Sequence, residues 1–284
     1  MNKEELIHNT LSLDARIISP LVGGMMNESF IVEDKNKKYV LYISTTQANE
    51  MVNRPLEKKH LDLVYSLGIT SKNVYFDTKL GIKINEFIDG LSLDKCEEYD
   101  MKKVARVLHV LHNSPMLSKE DYFPFKRLLG YEKEARLFID DFEKDYQEVR
   151  KVLFDNRSFL ESQKKTLCHN DAQKSNIVKS TEDKYYLIDF EFMGNNDPIY
   201  DIATFGNALV EEGFNLLNEY EPNPSIDIKR RYYLWRMYVS LQWYTVALIK
   251  HYRGEGEVHH FNFLDVAHHF LLNALSALNF YKKL

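Results

Sequence analysis

The chain has 284 residues, with 44% apolar and 28% charged side chains, near the averages for globular domains and long enough for a sizeable core. A net charge of −5 leaves no basic footprint for nucleic acid, so none is expected as a partner. Two cysteines, Cys96 and Cys168, make neither a disulfide framework nor a zinc spacing and suit a reducing, cytoplasmic setting. The opening MNKEELIHNT lacks the apolar core of a signal peptide.

Phe30-Ile31-Val32 and Tyr39 to Ile43 are rich in β-branched and aromatic residues, and Glu33 to Lys38 between them predicts a hairpin turn. Leu56, Leu61, Leu63, Val64 and Leu67 predict a helix stopped at Gly68. Val74-Tyr75-Phe76 and Ile82-Lys83-Ile84 predict a second hairpin, followed by a hinge at Asn85 to Gly90. Beyond it the pattern turns helical. Met101, Val104, Ala105, Leu108 and Leu111 form one buried face, and Glu132 to Val152 reads as another helix. Short strands are expected at Thr166 to Cys168 and Tyr185 to Asp189, with helices from Tyr200 onward. Tyr232 to Ile249 is the longest apolar stretch, but Arg236, Ser240, Gln242 and Thr245 interrupt it. A membrane span needs about 20 predominantly apolar residues, so this stretch reads as a buried helix and no span is expected.

The chemistry concentrates between His169 and Asp201: HNDAQKSN, then LIDFEF, then NNDPIYD. Phosphoryl transfer asks for carboxylates to place Mg²⁺, one carboxylate to orient the attacking oxygen, and rigid positioning. Asp171 is the candidate base, accepting the proton of a substrate hydroxyl. Asn176 offers a side-chain oxygen to Mg²⁺, a cation that prefers oxygen ligands. Asp189 follows Tyr185-Tyr186-Leu187-Ile188, so its carboxylate emerges at the end of a buried strand, where a bound cation is its natural partner. Glu191 is a candidate for a second Mg²⁺ or for a metal-bound water.

These segments resemble the choline/ethanolamine kinase family, within the aminoglycoside phosphotransferase superfamily of protein-kinase-like fold. HNDAQKSN is similar to its catalytic loop, IDFE to its counterpart of the kinase DFG, LVGGMMNESF to its glycine loop, and GIKINEFIDG to its fifth strand and hinge. The resemblance covers Leu21 to Phe205 well and the last third loosely. It implies an α+β, bilobal fold, with a small β-rich nucleotide lobe at 1–88 and a large helical catalytic lobe at 89–284. It implies ATP as donor, Mg²⁺ as cofactor and a small alcohol as acceptor, choline first, with ethanolamine, an aminoglycoside, thiamine or a sugar as alternatives and a weakly active pseudokinase as a further one.

The resemblance further implies nucleotide contacts from Gly23, Gly24, Asn27, Glu57, Glu86 and Phe87. Asp197, Trp243 and Tyr244 would join Asp171 at the acceptor, with aromatic rings forming a cage for a quaternary ammonium. His169 and Asp201 would support the catalytic loop. Two positions depart from the family pattern. Tyr42 replaces the cation expected to pair with Glu57, and Met26 replaces a loop hydroxyl. Lys38 shares the face parity of Tyr42, about 6.6 Å away at roughly 3.3 Å per residue, and Arg54 is the other candidate for the missing charge. Val246 stands where a second cage tryptophan is expected.

Overall fold

The computed structural model describes residues 3–21, 27–45, 49, 52–256 and 262–284. It divides into two compact units, Met1–Tyr99 with Lys174–Met193, and Asp100–Gln173 with Gly194–Leu284. This division differs from the expected boundary at 88/89 in extending the first unit to Tyr99 and adding Lys174–Met193 to it. The IDFE segment joins the first unit because β8 (Ile177–Ser180) pairs with β6 (Gly90–Ser92) and β9 (Tyr185–Leu187). Gly90 permits this pairing, since a Cβ there would lie 2.2 Å from the Lys179 carbonyl oxygen.

The first unit is built on a five-stranded antiparallel sheet, β1 (Arg16–Pro20), β2 (Asn27–Asp34), β3 (Lys37–Ser44), β4 (Asn73–Asp77) and β5 (Ile82–Glu86), in the order β1-β2-β3-β5-β4. Lys35 and Asn36, both with positive φ, make a two-residue turn between β2 and β3, tighter than the sequence suggests and matched to the twist of paired strands. Ile7, from helix α1 (Lys3–Thr10), packs with Val32, Leu41, Ile82 and Ile84 in the core of this unit. Helix α2 (Arg54–Ser66) begins where the Asn53 side chain accepts the Leu56 N–H and ends before Gly68 at φ +71°.

The second unit is helical: α3 (Met101–His112), α4 (Pro124–Ala135), α5 (Lys144–Asp155), α6 (Arg157–Glu161), α7 (Ile199–Phe205), α8 (Val210–Tyr220), α9 (Ile226–Tyr252) and α10 (Phe263–Tyr281), with a ribbon of β7 (Thr166–Cys168) and β10 (Gly194–Asn196). The helix expected over 132–152 is two helices. Between them Asp141 accepts the Phe142 N–H at 2.9 Å and pairs with Arg136 at 3.1 Å, a local bonding that competes with helix continuation. Helix α9 is buried along most of its 27 residues and carries polar groups inward. Arg236, 0% exposed, donates to the Ala203 carbonyl at 2.7 Å and to Ser240 Oγ at 3.2 Å, which offsets part of the cost of burying its charge, while its Nε has no acceptor. Among the described residues no helix is long and apolar enough to cross a membrane.

Candidate active site

In the first unit, charged groups from α2, β5 and the segment after β9 converge. Glu57 of α2 is 1% exposed and accepts from two cations, Arg54 Nη1 at 2.7 Å and Lys83 Nζ at 2.6 Å. Arg54 also donates to Glu191 Oε1 at 3.0 Å, to Ser44 Oγ at 2.6 Å and to Asn49 Oδ1 at 3.1 Å. Asn27 donates to the same Glu191 oxygen at 2.6 Å and accepts from Ser44 at 2.9 Å. Lys83 Nζ lies 3.6 Å from Asp189 Oδ1 and 3.9 Å from Glu191 Oε1. Two cations thus face three carboxylates, Glu57, Asp189 and Glu191, and one negative charge is left over.

The surplus falls on Asp189. Its Oδ1 is buried and accepts no hydrogen bond, and its backbone holds a positive φ of 64°. Burial, joined by the Glu191 charge and opposed by Lys83, pushes its carboxyl up to about 7. For Glu191 burial acts in the same upward direction, but Lys83, Arg54 and the Asn27 hydrogen bond outweigh it and hold the group below its ordinary value. Lys83 shows the converse. Burial works against its charge, and Glu57, Asp189 and Glu191 overcome burial to keep it above the usual lysine value. Asn176 ends a 3-10 turn at 174–176 and is 8% exposed; its carbonyl accepts the Ile188 N–H at 3.0 Å, which ties it to the residue before Asp189. A buried carboxylate oxygen without a donor, in net negative surroundings, fits a hard divalent cation such as Mg²⁺.

The cation paired with Glu57 besides Arg54 is therefore Lys83, which the reading of the sequence passed over. Lys83 stands directly opposite Tyr42 in the β3–β5 register, with its Nζ 5.0 Å from the centre of the Tyr42 ring. The charge missing from β3 is supplied by the neighbouring strand. Of the two candidates raised for that charge, Arg54 belongs to the cluster. Lys38 instead lies over the Phe87 ring at 5.8 Å, and its carbonyl accepts the Phe87 N–H at 3.0 Å. Glu86 ends β5, its N–H given to the Lys72 carbonyl at 2.8 Å. Gly23, Gly24 and Met26 lie outside the described residues.

The second unit holds Asp171 in a loop fixed from below by Asp201. Asp201 is 0% exposed and accepts from the His169 N–H at 2.8 Å, the Asn170 N–H at 2.7 Å and His112 Nε2 at 2.9 Å. The carboxylate requires the proton of a neutral His112 on Nε2, which leaves Nδ1 to accept from the Tyr220 hydroxyl at 2.8 Å. Asn170, at φ +63°, turns the chain so that Asp171 follows, and its side chain is held by the Cys168 and Gly194 carbonyls and by Asn196. His169 Nδ1 accepts the Asp171 N–H at 3.2 Å. Gln173 donates to Asp171 Oδ2 at 3.3 Å.

Three residues expected at the acceptor have other neighbours. Asp197 is 2% exposed, and both its oxygens are engaged: Arg231 grips them in a fork, the Trp235 indole donates at 2.8 Å and the Ile199 N–H at 3.0 Å. A carboxylate so bonded anchors α9 to the turn before α7. Trp243 stacks on Phe270 of α10 at 6.1 Å, and Tyr244 is buried between Phe142 and Tyr146 with its hydroxyl donated to Glu143 at 2.9 Å. The rings that answer to the Asp171 charge are instead Tyr122, Tyr131 and Tyr200. Burial raises all three phenols, Tyr122 to about 12, and the Asp171 carboxylate adds to the rise.

Comparison with known proteins agrees with this chemistry. The family profile described as choline/ethanolamine kinase matches residues 18–235. The protein LicA of Haemophilus influenzae is 24% identical over 256 residues, covering 83% of this chain and 74% of LicA. The crystal structure of choline kinase LicA from Streptococcus pneumoniae superposes with a TM-score of 0.78 at 25% identity, covering 98% of each chain. A structure of LicA in complex with AMP gives 0.77 at 26% identity, covering 98% of this chain and 97% of that one. With its mixed β-sheet and helical units and its kinase-like relatives, the chain belongs to the choline/ethanolamine kinase family and is a phosphotransferase acting on an alcohol.

Proposed function

We propose that the protein transfers the γ-phosphoryl group of ATP, with Mg²⁺, to the hydroxyl of a small amino alcohol, choline first and ethanolamine second. The observation that carries this reading is Asp189 Oδ1, buried and without a donor in a cluster that holds one negative charge too many. Asp189 and Asn176 would hold Mg²⁺, which when bound neutralises charge on the phosphate oxygens. Glu191, steadied by Asn27 and Arg54, is placed to hold a second ion or an ion's water. Lys83, kept protonated and fixed by Glu57, would bind phosphate oxygens through its remaining N–H groups. Asn27, Glu86 and Phe87, with Gly23 and Gly24, would complete the nucleotide contacts.

Asp171 would accept a hydrogen bond from the acceptor hydroxyl and take its proton as the new P–O bond forms and the bond to the ADP oxygen breaks. Asp201 and His169 act through the loop, holding Asp171 in place by the main chain. The weakly active alternative rested on Tyr42, and a lysine on Glu57 removes that motive. ATP as donor and the two free cysteines suit a cytoplasmic enzyme. The test is ADP formation from ATP and Mg²⁺ with choline, ethanolamine, thiamine, a sugar and aminoglycosides, in wild type and Asp171→Asn. Choline should give the largest rate, and Asp171→Asn should lose about 10²–10⁴-fold while still binding nucleotide. A variant with near-wild-type turnover would remove Asp171 from the reaction.

A further inference from the structure

Tyr122, Tyr200 and Tyr238 are 5%, 1% and 0% exposed, and their rings follow one another at 5.3 and 5.6 Å. The Tyr200 hydroxyl donates to that of Tyr122 at 3.4 Å, and Tyr122 and Tyr238 both donate to Gln242 Oε1, at 3.4 and 2.9 Å. The hydroxyls are thus drawn toward one another and toward α9. Arg127 of α4 reaches this cluster with a half-buried side chain. Its Nε donates to the Tyr122 carbonyl at 3.0 Å, and its guanidinium carbon stands 4.5 Å from the centre of the Tyr122 ring. The Arg127 charge also acts on the Tyr131 phenol, against the rise that burial imposes. Asn170, next to Asp171, donates to the Gly194 carbonyl at 3.3 Å, and the Tyr122 N–H donates to the carbonyl of the following Asn195 at 3.0 Å. The Tyr122 segment and the Asp171 loop thus meet on one ribbon, and the Asp171 charge acts on Tyr122, Tyr131 and Tyr200.

An aromatic face close to a carboxylate is the environment that binds an organic cation lacking N–H groups. Here a cation of the chain itself holds that face. We propose that Arg127 is a specificity-determining residue, an internal cation on the Tyr122 face beside Asp171 that the acceptor's ammonium must displace. This deepens the amino-alcohol reading and rests on it. Two positive groups cannot share one ring face and one nearby carboxylate without mutual repulsion, so binding of the acceptor is an exchange rather than an addition. A hydrogen bond to the main chain and a ring contact hold the guanidinium, restraints of a kind that exchange can replace. A long, half-exposed arginine stem gives it a way out to water. Acceptors without a positive charge gain nothing from the exchange, so Arg127 screens acceptors by charge as well as by size.

Arg127→Met keeps the stem and removes the charge. Binding is measured calorimetrically for choline, for tetramethylammonium and for 3,3-dimethylbutanol, the uncharged relative of choline. The variant should bind choline and tetramethylammonium about tenfold more tightly, within the two- to thirtyfold span of one cation–aromatic contact. The neutral alcohol should change less than twofold, and Arg127→Lys should behave as wild type. Unimproved or weaker choline binding in a folded Arg127→Met overturns the proposal, as does an equal gain for the neutral alcohol, which would mean only that space was opened. A reading on the wild-type protein covers a variant that fails to fold. The Arg127 Nε–H resonance, assigned by its loss in Arg127→Lys, should move to the position of solvent-exposed arginines on saturation with tetramethylammonium, and a resonance that stays put overturns the exchange. None of these measurements needs turnover. Tighter tetramethylammonium binding in an enzyme that does not phosphorylate choline would keep the exchange and discard the substrate, and the reverse result would do the opposite.

Discussion

Asp189 and Asp201 come from the same stretch of chain, yet the two carboxylates have opposite surroundings. Asp201 accepts two main-chain N–H groups and an imidazole, and no part of it is exposed. Asp189 has a buried oxygen with no donor and shares Lys83 with Glu57 and Glu191. A buried carboxylate is tolerated when its lone pairs are filled and costly when they are not. The filled one therefore holds structure, and the unfilled one is held ready for a ligand by the structure around it. The same division runs through the neighbouring groups. In the second unit Asp197 is closed off by Arg231 and Trp235, whereas in the first the cluster of Glu57, Lys83, Arg54, Asp189 and Glu191 retains a surplus of negative charge.

Exchanging each aspartate for alanine is the most severe test of that contrast. Asp201→Ala should lose about 3–5 kcal/mol of stability, because it leaves two buried main-chain N–H groups and the His112 Nε2–H without an acceptor, each costing about 1–3 kcal/mol. Asp189→Ala should keep or slightly raise its melting temperature, because it deletes an unsatisfied group. Its turnover should fall about 10²–10³-fold, with a higher Mg²⁺ requirement. Chemical denaturation and Mg²⁺ titration read the two effects separately. If Asp189→Ala proves as unstable as Asp201→Ala, the contrast is wrong and both carboxylates are structural.

The next test concerns which cation completes the unfilled cluster. Lys83→Met should weaken ATP binding by about 1.5–3 kcal/mol, the range for a hydrogen bond to a charged group. Lys38→Ala should change affinity little, given its place over Phe87. Tyr42→Lys, which would seem to restore the family pattern, should not tighten binding. It would set a second ammonium opposite Lys83 in the strand register, and like charges directly opposed are destabilising. Nucleotide titration of the three variants decides. Full affinity in Lys83→Met would leave Arg54 as the phosphate-facing charge.

Trp243→Ala probes a smaller difference, between a ring that packs and a ring that recognises. Stacked on Phe270, Trp243 should contribute about 0.5–1.5 kcal/mol to stability as an aromatic pair. The ratio of choline to ethanolamine Michaelis constants should stay unchanged. A loss confined to choline would return Trp243 to the acceptor site.

Local chemistry was legible in the sequence and cross-strand chemistry was not. Asp171, Asn176 and Asp189 are marked by spacing within short segments, and the hairpins and α3 by period and turn residues. Lys83 escaped because Ile82-Lys83-Ile84 reads as a strand with one solvent-facing residue, whereas the structure leaves Lys83 2% exposed. Parity along β3 pointed to Lys38, but the residue that matters is opposite Tyr42 on β5, and that register depends on a helix and a strand folding between them. The partners of Asp197 were hidden for a similar reason, since Arg231 and Trp235 arrive on a helix later in the chain. The broken helix at 136–143 follows from Asp141 bonding its own neighbourhood, a signal present in the sequence but weaker than the apolar period.

The effect that depends on pH concerns His60, which lies on α2 with Glu57 and is 3% exposed. Burial lowers it from the ordinary histidine value to about 4, against the Glu57 charge, which acts to raise it. In the unfolded chain the imidazole takes a proton near pH 6.5, whereas in the folded protein it stays neutral until about pH 4. Protonation therefore favours the unfolded state. The stability supplied by a neutral His60 is fully present above pH 6.5 and is lost as the pH falls toward 4. With partial screening by solvent the loss should be about 1–2 kcal/mol, less than the full linkage value. Denaturation midpoints at pH 7 and pH 4.5, for wild type and His60→Gln, measure it. The wild type should lose more stability on acidification than the variant, which has no imidazole to protonate. Equal losses would mean that His60 titrates alike in both states, and that the negative surplus beside Glu57 holds a proton there as readily as water does.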